Sequence, residues 1–298
     1  MSDLHLPARW GRTGFIVAIP ARDEAARLPC ALDALAADGV PMDVIVIANG
    51  CTDGTTAVAR DFPDLQVAVI ETGCLLGGVG AARRLGLRAA LSAAPQAAIV
   101  ATTDADCTVA PGWAATTRRA LAGAEVACGR VAPHAAEFAT LPKLVRRHGI
   151  LEDEVAALEA ELAGLQHPVP HDPLPRHGQT PGASLAFRTD AYLQAGGFEA
   201  IRCHEDRRLV ARIAAMGGRV ARPWRLSVTA SCRTRGRAPG GMADTIAARA
   251  ADPLLGGQLA DLEVACIRLR AEIEAFRASS PSFPTPADRG MSDVLSLG

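Results

Sequence analysis

The sequence carries no surplus of charge: 31 basic and 32 acidic residues leave a formal net charge of −1. Without a strong positive field there is nothing to hold a nucleic acid backbone or an anionic membrane, so no nucleic acid partner is expected. Cysteines at metal or redox spacing are also missing. Cys30, Cys51, Cys74, Cys107, Cys128, Cys203, Cys232 and Cys266 are scattered, with no C-x-x-C, which argues against a zinc framework or a dithiol centre and predicts reduced thiols in a cytoplasmic protein. No stretch reaches about 18 uninterrupted apolar residues, and residues 1–14 lack a basic flank leading into an apolar run. The chain therefore reads as soluble, or at most peripheral to a membrane, with no integral membrane segment. Lysine is nearly absent, Lys143 being the only one. There is no internal repeat, and no glycine run has the G-x-G-x-x-G spacing of a dinucleotide-binding turn.

What is present is a chain of 298 residues, 49% hydrophobic, long enough for one large α/β core or two smaller ones. Its first half alternates β-branched runs with Ala/Leu-rich stretches. Strands are predicted at 15–19, 44–48, 65–71 and 97–102, and helices at 24–38, 55–62, 80–93 and 113–122. This βαβ pattern feeds a mostly parallel sheet, whose carboxyl strand ends are where ligands sit. Residues 140–165 read as one long amphipathic helix or a helix pair with a solvated face. Four prolines before Pro181 and three histidines in 167–182 predict an ordered loop or lid. Further strands are expected at 183–188, near 219–221 and near 226–231, with helices at 189–195 and 205–216. Residues from 278 on, rich in Ser and Pro, are expected to be disordered.

The segment most suggestive of chemistry is Asp104-Ala105-Asp106 at the end of the fourth strand. On an extended strand end, side chains at i and i+2 point the same way, so both acids can face one divalent cation and the phosphates it carries; an acidic turn is the alternative. The first strand ends in Pro20-Ala21-Arg22-Asp23-Glu24, which places Arg22 near an anionic or planar ligand or caps a helix. Asn49-Gly50-Cys51-Thr52-Asp53-Gly54 is a ligand cradle of backbone N–H groups or a plain turn. Gly77-Gly78-Val79-Gly80 with Arg83 and Arg84 suits a pyrophosphate at a helix N-terminus, against the alternative of a surface arginine pair. His204-Glu205-Asp206 offers a general base or a favourable dipole interaction. Arg233, Arg235 and Arg237 with Gly240-Gly241 form a second phosphate grip or a basic loop.

Taken in order, VAIPARDE (17–24), VIVIANGCTDGT (44–55), GVGAARRLGL (78–87), TTDADC (102–107) and GASLAFR followed by GGFEAIRCHEDRRLVARI resemble glycosyltransferase family 2. The resemblance implies the GT-A fold, an α/β, Rossmann-like, mostly parallel central sheet flanked by helices, here with a C-terminal extension. It divides the chain into a tail (1–14), a GT-A domain (15–250, with a nucleotide-binding half at 15–110 and an acceptor and catalytic half at 111–250), a C-terminal helix (251–277) and a disordered end (278–298). It further implies a metal-dependent, inverting, hexosyltransferase-type reaction, from a nucleotide-sugar donor to a hydroxyl of a glycan, a lipid-linked acceptor or a small molecule. Pro20, Ala21, Arg22 and Glu24 would line the nucleoside pocket, Asp53 would be the second-strand acidic turn, and Arg83 would lie near the diphosphate. Asp104 would sit nearer the ribose, Asp106 would bind Mg²⁺ or Mn²⁺ directly, and Asp206 would deprotonate the acceptor.

Two positions depart from that pattern. Ala48 and Asn49 stand where many family members carry two acids, which removes a usual contact to the nucleobase. His204 either assists the base or a phosphate or is a packed histidine. The loop at 167–180 would border the acceptor, with His171, Asp172, Arg176 and His177 reading a polar group there. Three rival readings stand beside this one. Asp104-Ala105-Asp106-Cys107-Thr108 also fits a D-x-D-x-T phosphatase with Asp104 as nucleophile, but three strand-helix units precede it, Lys143 is the one lysine available, and Glu205-Asp206 follows a turn rather than an apolar strand. A nucleotidyltransferase would show a glycine-rich, basic first loop, which does not follow Ile19. A non-catalytic, degenerate nucleotide-sugar-binding protein is the third, made conceivable by Ala48.

Overall fold

The computed structural model describes residues 3–234, 236 and 240–279. Arg235 and Arg237 lie outside the described residues, as do residues 280–298 of the predicted disordered end. The chain opens on β1 (Asp3–His5) and then alternates strand and helix: β2 (Phe15–Ala21), α1 (Leu28–Ala37), β3 (Asp43–Asn49), α2 (Thr55–Arg60), β4 (Val67–Thr72), α3 (Gly78–Ala93) and β5 (Ile99–Thr103). There follow β6 (Cys107–Val109), α4 (Trp113–Leu121), β7 (Val126–Cys128), β8 (Arg130–Pro133), α5 (Ala135–Ala139), α6 (Lys143–Gln166), β9 (Ser184–Arg188) and α7 (Thr189–Gln194). The last elements are α8 (Glu205–Ala215), β10 (Val220–Ala221), β11 (Ser227–Ala230), α9 (Met242–Ala251) and α10 (Leu255–Ser279).

Eight strands form the main sheet in the order β1-β4-β3-β2-β5-β9-β7-β10. β4, β3, β2 and β5 are parallel, while β1 and β9 run against their neighbours. Strands buried on both faces need apolar side chains at every position, and β2 meets that demand. Phe15, Val17 and Ile19 face a core with Leu28, Leu32 and Trp113. Ile16 and Ala18 face the opposite core with Leu87, Phe187 and Phe198. A second sheet, β6-β11-β8, lies just past β5; it puts Ala230 at the end of β11 opposite Cys107. This mostly parallel sheet flanked by helices is the architecture that the resemblance implies.

Several predicted boundaries move for identifiable reasons. The first helix begins at Leu28 rather than at 24, because residues 22–25 are pinned to the loop after β3. Asp23 adopts a left-handed φ of 53° and its carboxylate accepts from Thr52 N (2.6 Å), while Glu24 N donates to Thr55 Oγ1 (2.8 Å) and Ala25 N to Asp53 Oδ2 (3.0 Å). The 140–165 segment is one helix, α6, whose apolar face is closed by α10 through Leu162, Leu165, Leu269 and Ile273. Ion pairs from Arg147 to Glu263, Arg270 to Glu154 and Arg277 to Glu161 flank that contact. The helix expected at 251–277 is α10, which starts at Leu255, since Ala251 ends α9, and runs on through Ser279, so residues 278 and 279, read as disordered, close it. Among the described residues no helix is long and apolar enough to cross a membrane.

Candidate active site

Beyond Thr103 the chain turns rather than extending, with Cys107 N donating to Asp104 O at 3.1 Å, the i to i+3 bond of a β-turn. Asp104 and Asp106 therefore stand on a turn and not on the extended strand end inferred from their spacing. They converge all the same: one oxygen of each and Cys107 Sγ lie within 4.8 Å of one another. Burial pushes the Cys107 thiol well above its ordinary value, with Asp104 and Asp106 adding to the effect, which disfavours a free thiolate there. The two carboxylates are hard donors, which suit Mg²⁺ or Mn²⁺. Burial, reinforced by Asp104 and opposed by Arg233, pushes Asp106 up to about 6.

Arg83 is no surface residue. Only 3% exposed, it donates from Nε to Thr102 Oγ1 (3.1 Å), from Nη2 to Asp104 Oδ1 (2.6 Å) and from Nη1 to Glu205 Oε1. The Phe198 ring lies 5.9 Å from its Cζ. Gly182 covers it from the other side, where an added Cβ would come within 2.4 Å of Nη1. Burial alone would weaken the charge on Arg83, but Asp104, Glu205 and Asp206 outweigh it and raise its pKa. Glu205 is itself raised, by burial and by Asp206, against the pull of Arg83.

The glycines before Arg83 do not form an open anion cradle. Gly80 N donates to Ile201 O at 3.2 Å, and a Cβ on Gly80 would stand 2.4 Å from the carbonyl oxygens of Glu199 and Ile201. The α3 N-terminus is thus covered by residues 199–202, and these glycines serve close backbone packing. That packing leads directly into His204, whose φ of 64° lies in the left-handed region. His204 is exposed, so it is not a packed histidine. Asp206, half-buried in the first turn of α8, accepts from Gly182 N at 2.7 Å through Oδ2 and from Arg207 N at 2.7 Å through Oδ1.

At the end of β2, Pro20 is half-buried, Ala21 buried and Arg22 exposed. Glu24 is buried and turns to Arg233, which also reaches Asp106. Asp53 is exposed and spends its carboxylate on Ala25 N and on the N and Oγ1 of Thr55. Buried Asn49 accepts from Leu75 N at 2.8 Å, so it ties β3 to the loop before α3.

The loop at 167–180 corrects its own forecast. His177 is buried, with Nε2 3.1 Å from Cys128 O and Nδ1 accepting from Gln179 N at 3.1 Å. Burial, with Arg222 nearby, lowers its pKa to about 3. Asp172 accepts from Arg222 N (2.7 Å) and Arg176 Nη1 (3.3 Å), and Arg176 Nε donates to Ala160 O (3.0 Å). These three side chains fix the loop and are committed to it rather than offered to an acceptor.

Sequence reading missed Thr102, which orients Arg83, and Glu137, which accepts from Ser231 Oγ and Cys232 N at 2.7 Å each. Ninety-four and 95 residues separate those partners, and no local pattern links them.

Residues 16–160 match the model of "Glycosyl transferase family 2". No curated protein matches the chain. Among solved structures, TarS of S. aureus (residues 1–349, in complex with UDP-GlcNAc) is 15% identical with a TM-score of 0.53, over 89% of this chain and 73% of that one. The mannosyltransferase PcManGT of Pyrobaculum calidifontis, in complex with GDP-Man and Mn²⁺, is 20% identical with a TM-score of 0.51, over 94% of this chain and 84% of that one. Against a longer TarS structure the chain covers only 36% of the other protein, at 15% identity and a TM-score of 0.50. At these identities the likeness is one of fold.

Proposed function

We propose, on the premise that residues 16–160 belong to glycosyl transferase family 2, that this chain transfers a sugar from a nucleotide-diphosphate donor to an acceptor hydroxyl. The transfer depends on Mg²⁺ or Mn²⁺ and inverts the anomeric configuration. The observation that carries this reading is the convergence of Asp104 and Asp106, with Asp104 joined through buried Arg83 to Glu205, the residue before Asp206. Donor-side and acceptor-side acids thus share one brace. Asp104 and Asp106 would hold the cation, which when bound offsets the charge of the leaving diphosphate. Arg83 acts on that region by orienting Asp104, since each of its three nitrogens is engaged.

Asp206 is the base. Its carboxylate stands in the first turn of α8, where the helix dipole favours negative charge, and the Gly182 amide orients it while leaving lone pairs for a hydroxyl proton. Pro20, Ala21 and Arg22 at the end of β2, with Asp53 after β3, border the nucleoside. The phosphatase alternative needs Asp104 free as a nucleophile, whereas Arg83 holds it at 2.6 Å.

The mannosyltransferase complex with GDP-Man and Mn²⁺ and the TarS complex with UDP-GlcNAc supply the probes for a test. A thermal-shift screen against UDP-, GDP- and TDP-sugars with Mn²⁺ is expected to find one nucleotide that raises the melting temperature. Donor hydrolysis with Mn²⁺ should then be abolished by Asp106→Ala. Failure of every nucleoside diphosphate to stabilise the fold would overturn the reading.

A further inference from the structure

Two carboxylates gathered for a cation already have one beside them. Arg233, three residues past the end of β11, donates from Nη1 to Glu24 Oε2 (2.9 Å) and from Nη2 to Glu24 Oε1 (2.5 Å). The same Nη2 lies 3.1 Å from Asp106 Oδ2. The side chains of Glu24 and Asp106 are only 6% and 19% exposed, so water screens little of this attraction. The arm that carries the guanidinium is fixed. Arg233 N donates to Ser231 Oγ (3.3 Å), Ser231 N to the carbonyl of Asp106 (3.3 Å), and Ser231 Oγ to Glu137 Oε2, while Arg27 pairs with Glu137 at 3.3 Å. A bidentate fork on Glu24 with its second nitrogen aimed at Asp106 is a specific arrangement of a charged group, unlike a loose basic loop.

We propose that Arg233 is a built-in competitor for the divalent cation at Asp106, so that metal ion gains this carboxylate only as the guanidinium gives it up. The inference rests on the reading of Asp104 and Asp106 as metal ligands. Like charges facing one carboxylate across a few ångströms disfavour each other strongly, so free metal binds poorly while Arg233 keeps its place. An anionic diphosphate brings oxygens to which a released guanidinium can turn, which couples metal binding to nucleotide binding. By linkage each ligand then tightens the other by the same factor. The site would thereby admit metal and nucleotide together in preference to metal alone.

The test is a titration of Mn²⁺ at pH 8 followed by the EPR signal of the free ion, without nucleotide and with UDP or GDP. Arg233→Met is expected to bind Mn²⁺ alone on the order of tenfold more tightly than the parent, as loss of one nearby positive charge predicts. Arg233→Gln, which keeps a hydrogen bond to Glu24 and drops the charge, should match it. Arg233→Lys, which keeps the charge, should stay near the parent. The further tightening produced by nucleotide should shrink in the two neutral variants. Unchanged or weaker Mn²⁺ binding in Arg233→Met and Arg233→Gln, with the parent binding normally, would overturn the inference alone. No Mn²⁺ binding by any of the four proteins, with or without nucleotide, would remove the metal reading itself and the inference with it.

Discussion

Replacing Arg83 by methionine keeps most of the volume and removes the charge that joins Asp104 to Glu205. The two carboxylates then fare differently. Asp104 has a side chain 34% exposed, so water takes over much of what the guanidinium supplied, and its share of the loss is small. Glu205 is 2% exposed and would be left as an uncompensated buried charge, a situation that costs about 3–5 kcal/mol. Glu205→Gln should cost less, because Asp104 still pairs with the guanidinium at 2.6 Å. The double variant Arg83→Met/Glu205→Gln removes both charges together and should recover about 2 kcal/mol or more of the summed loss, the range of coupling seen between directly paired residues. Urea unfolding of the four proteins at pH 7.5 gives the cycle directly. If each single variant costs under about 1 kcal/mol, or if the double variant loses the full sum, Arg83 is not the buried brace described here.

Other consequences follow from the same contacts. His177 stays neutral when folded, with a pKa of about 3, while in the unfolded chain it takes up a proton near its ordinary value of about 6.5. Its folded pKa is depressed, so the unfolded state binds more protons between those values and stability falls as the pH drops below about 6.5, by about 1.4 kcal/mol per pH unit. Between pH 6.5 and 4.5 the parent should therefore lose about 2.3 kcal/mol more than His177→Gln, and equal acid limbs in chemical denaturation would refute this. Gly80→Ala places a Cβ 2.4 Å from two carbonyl oxygens of the 199–202 segment. It should destabilise by about 1–3 kcal/mol despite the better helix propensity of alanine, and a calorimetric melting temperature equal to or above the parent's would count against that packing. Asp206→Asn should lower transfer by about 10²–10⁴-fold while nucleotide binding, followed by calorimetry, stays within a factor of a few; parallel loss of both would reassign Asp206 to the donor side.

The strands were legible because a β-strand buried on both faces must be apolar throughout, and 15–19 and 44–48 can hardly be read otherwise. Their true ends, at Ala21 and Asn49, were less so, because Pro20 and Asn49 look like loop residues until their partners are known. Short strands such as β6, β7 and β8 carry too few residues to show a period. The start of α1 was misplaced for a related reason: Asp23 and Glu24 have the composition of a helix N-terminus, and only the bonds to Thr52 and Thr55 keep them out of it.

Local order in the chain determined that Asp104 and Asp106 lie side by side and that Glu205 and Asp206 open a helix, since residues one or two apart have little freedom to separate. Which side chain meets which across the fold was decided by tertiary structure alone. Arg83, 122 residues from Glu205, and Arg233, 209 residues from Glu24, are brought into contact by the crossing of α3 over the sheet and the return of β11 beside β6. The physical reason is that burial makes an unpaired charge expensive: once the chain has closed over Asp104, Asp106 and Glu205, the arginines that end up facing them are held as counter-charges, whatever their distance in sequence.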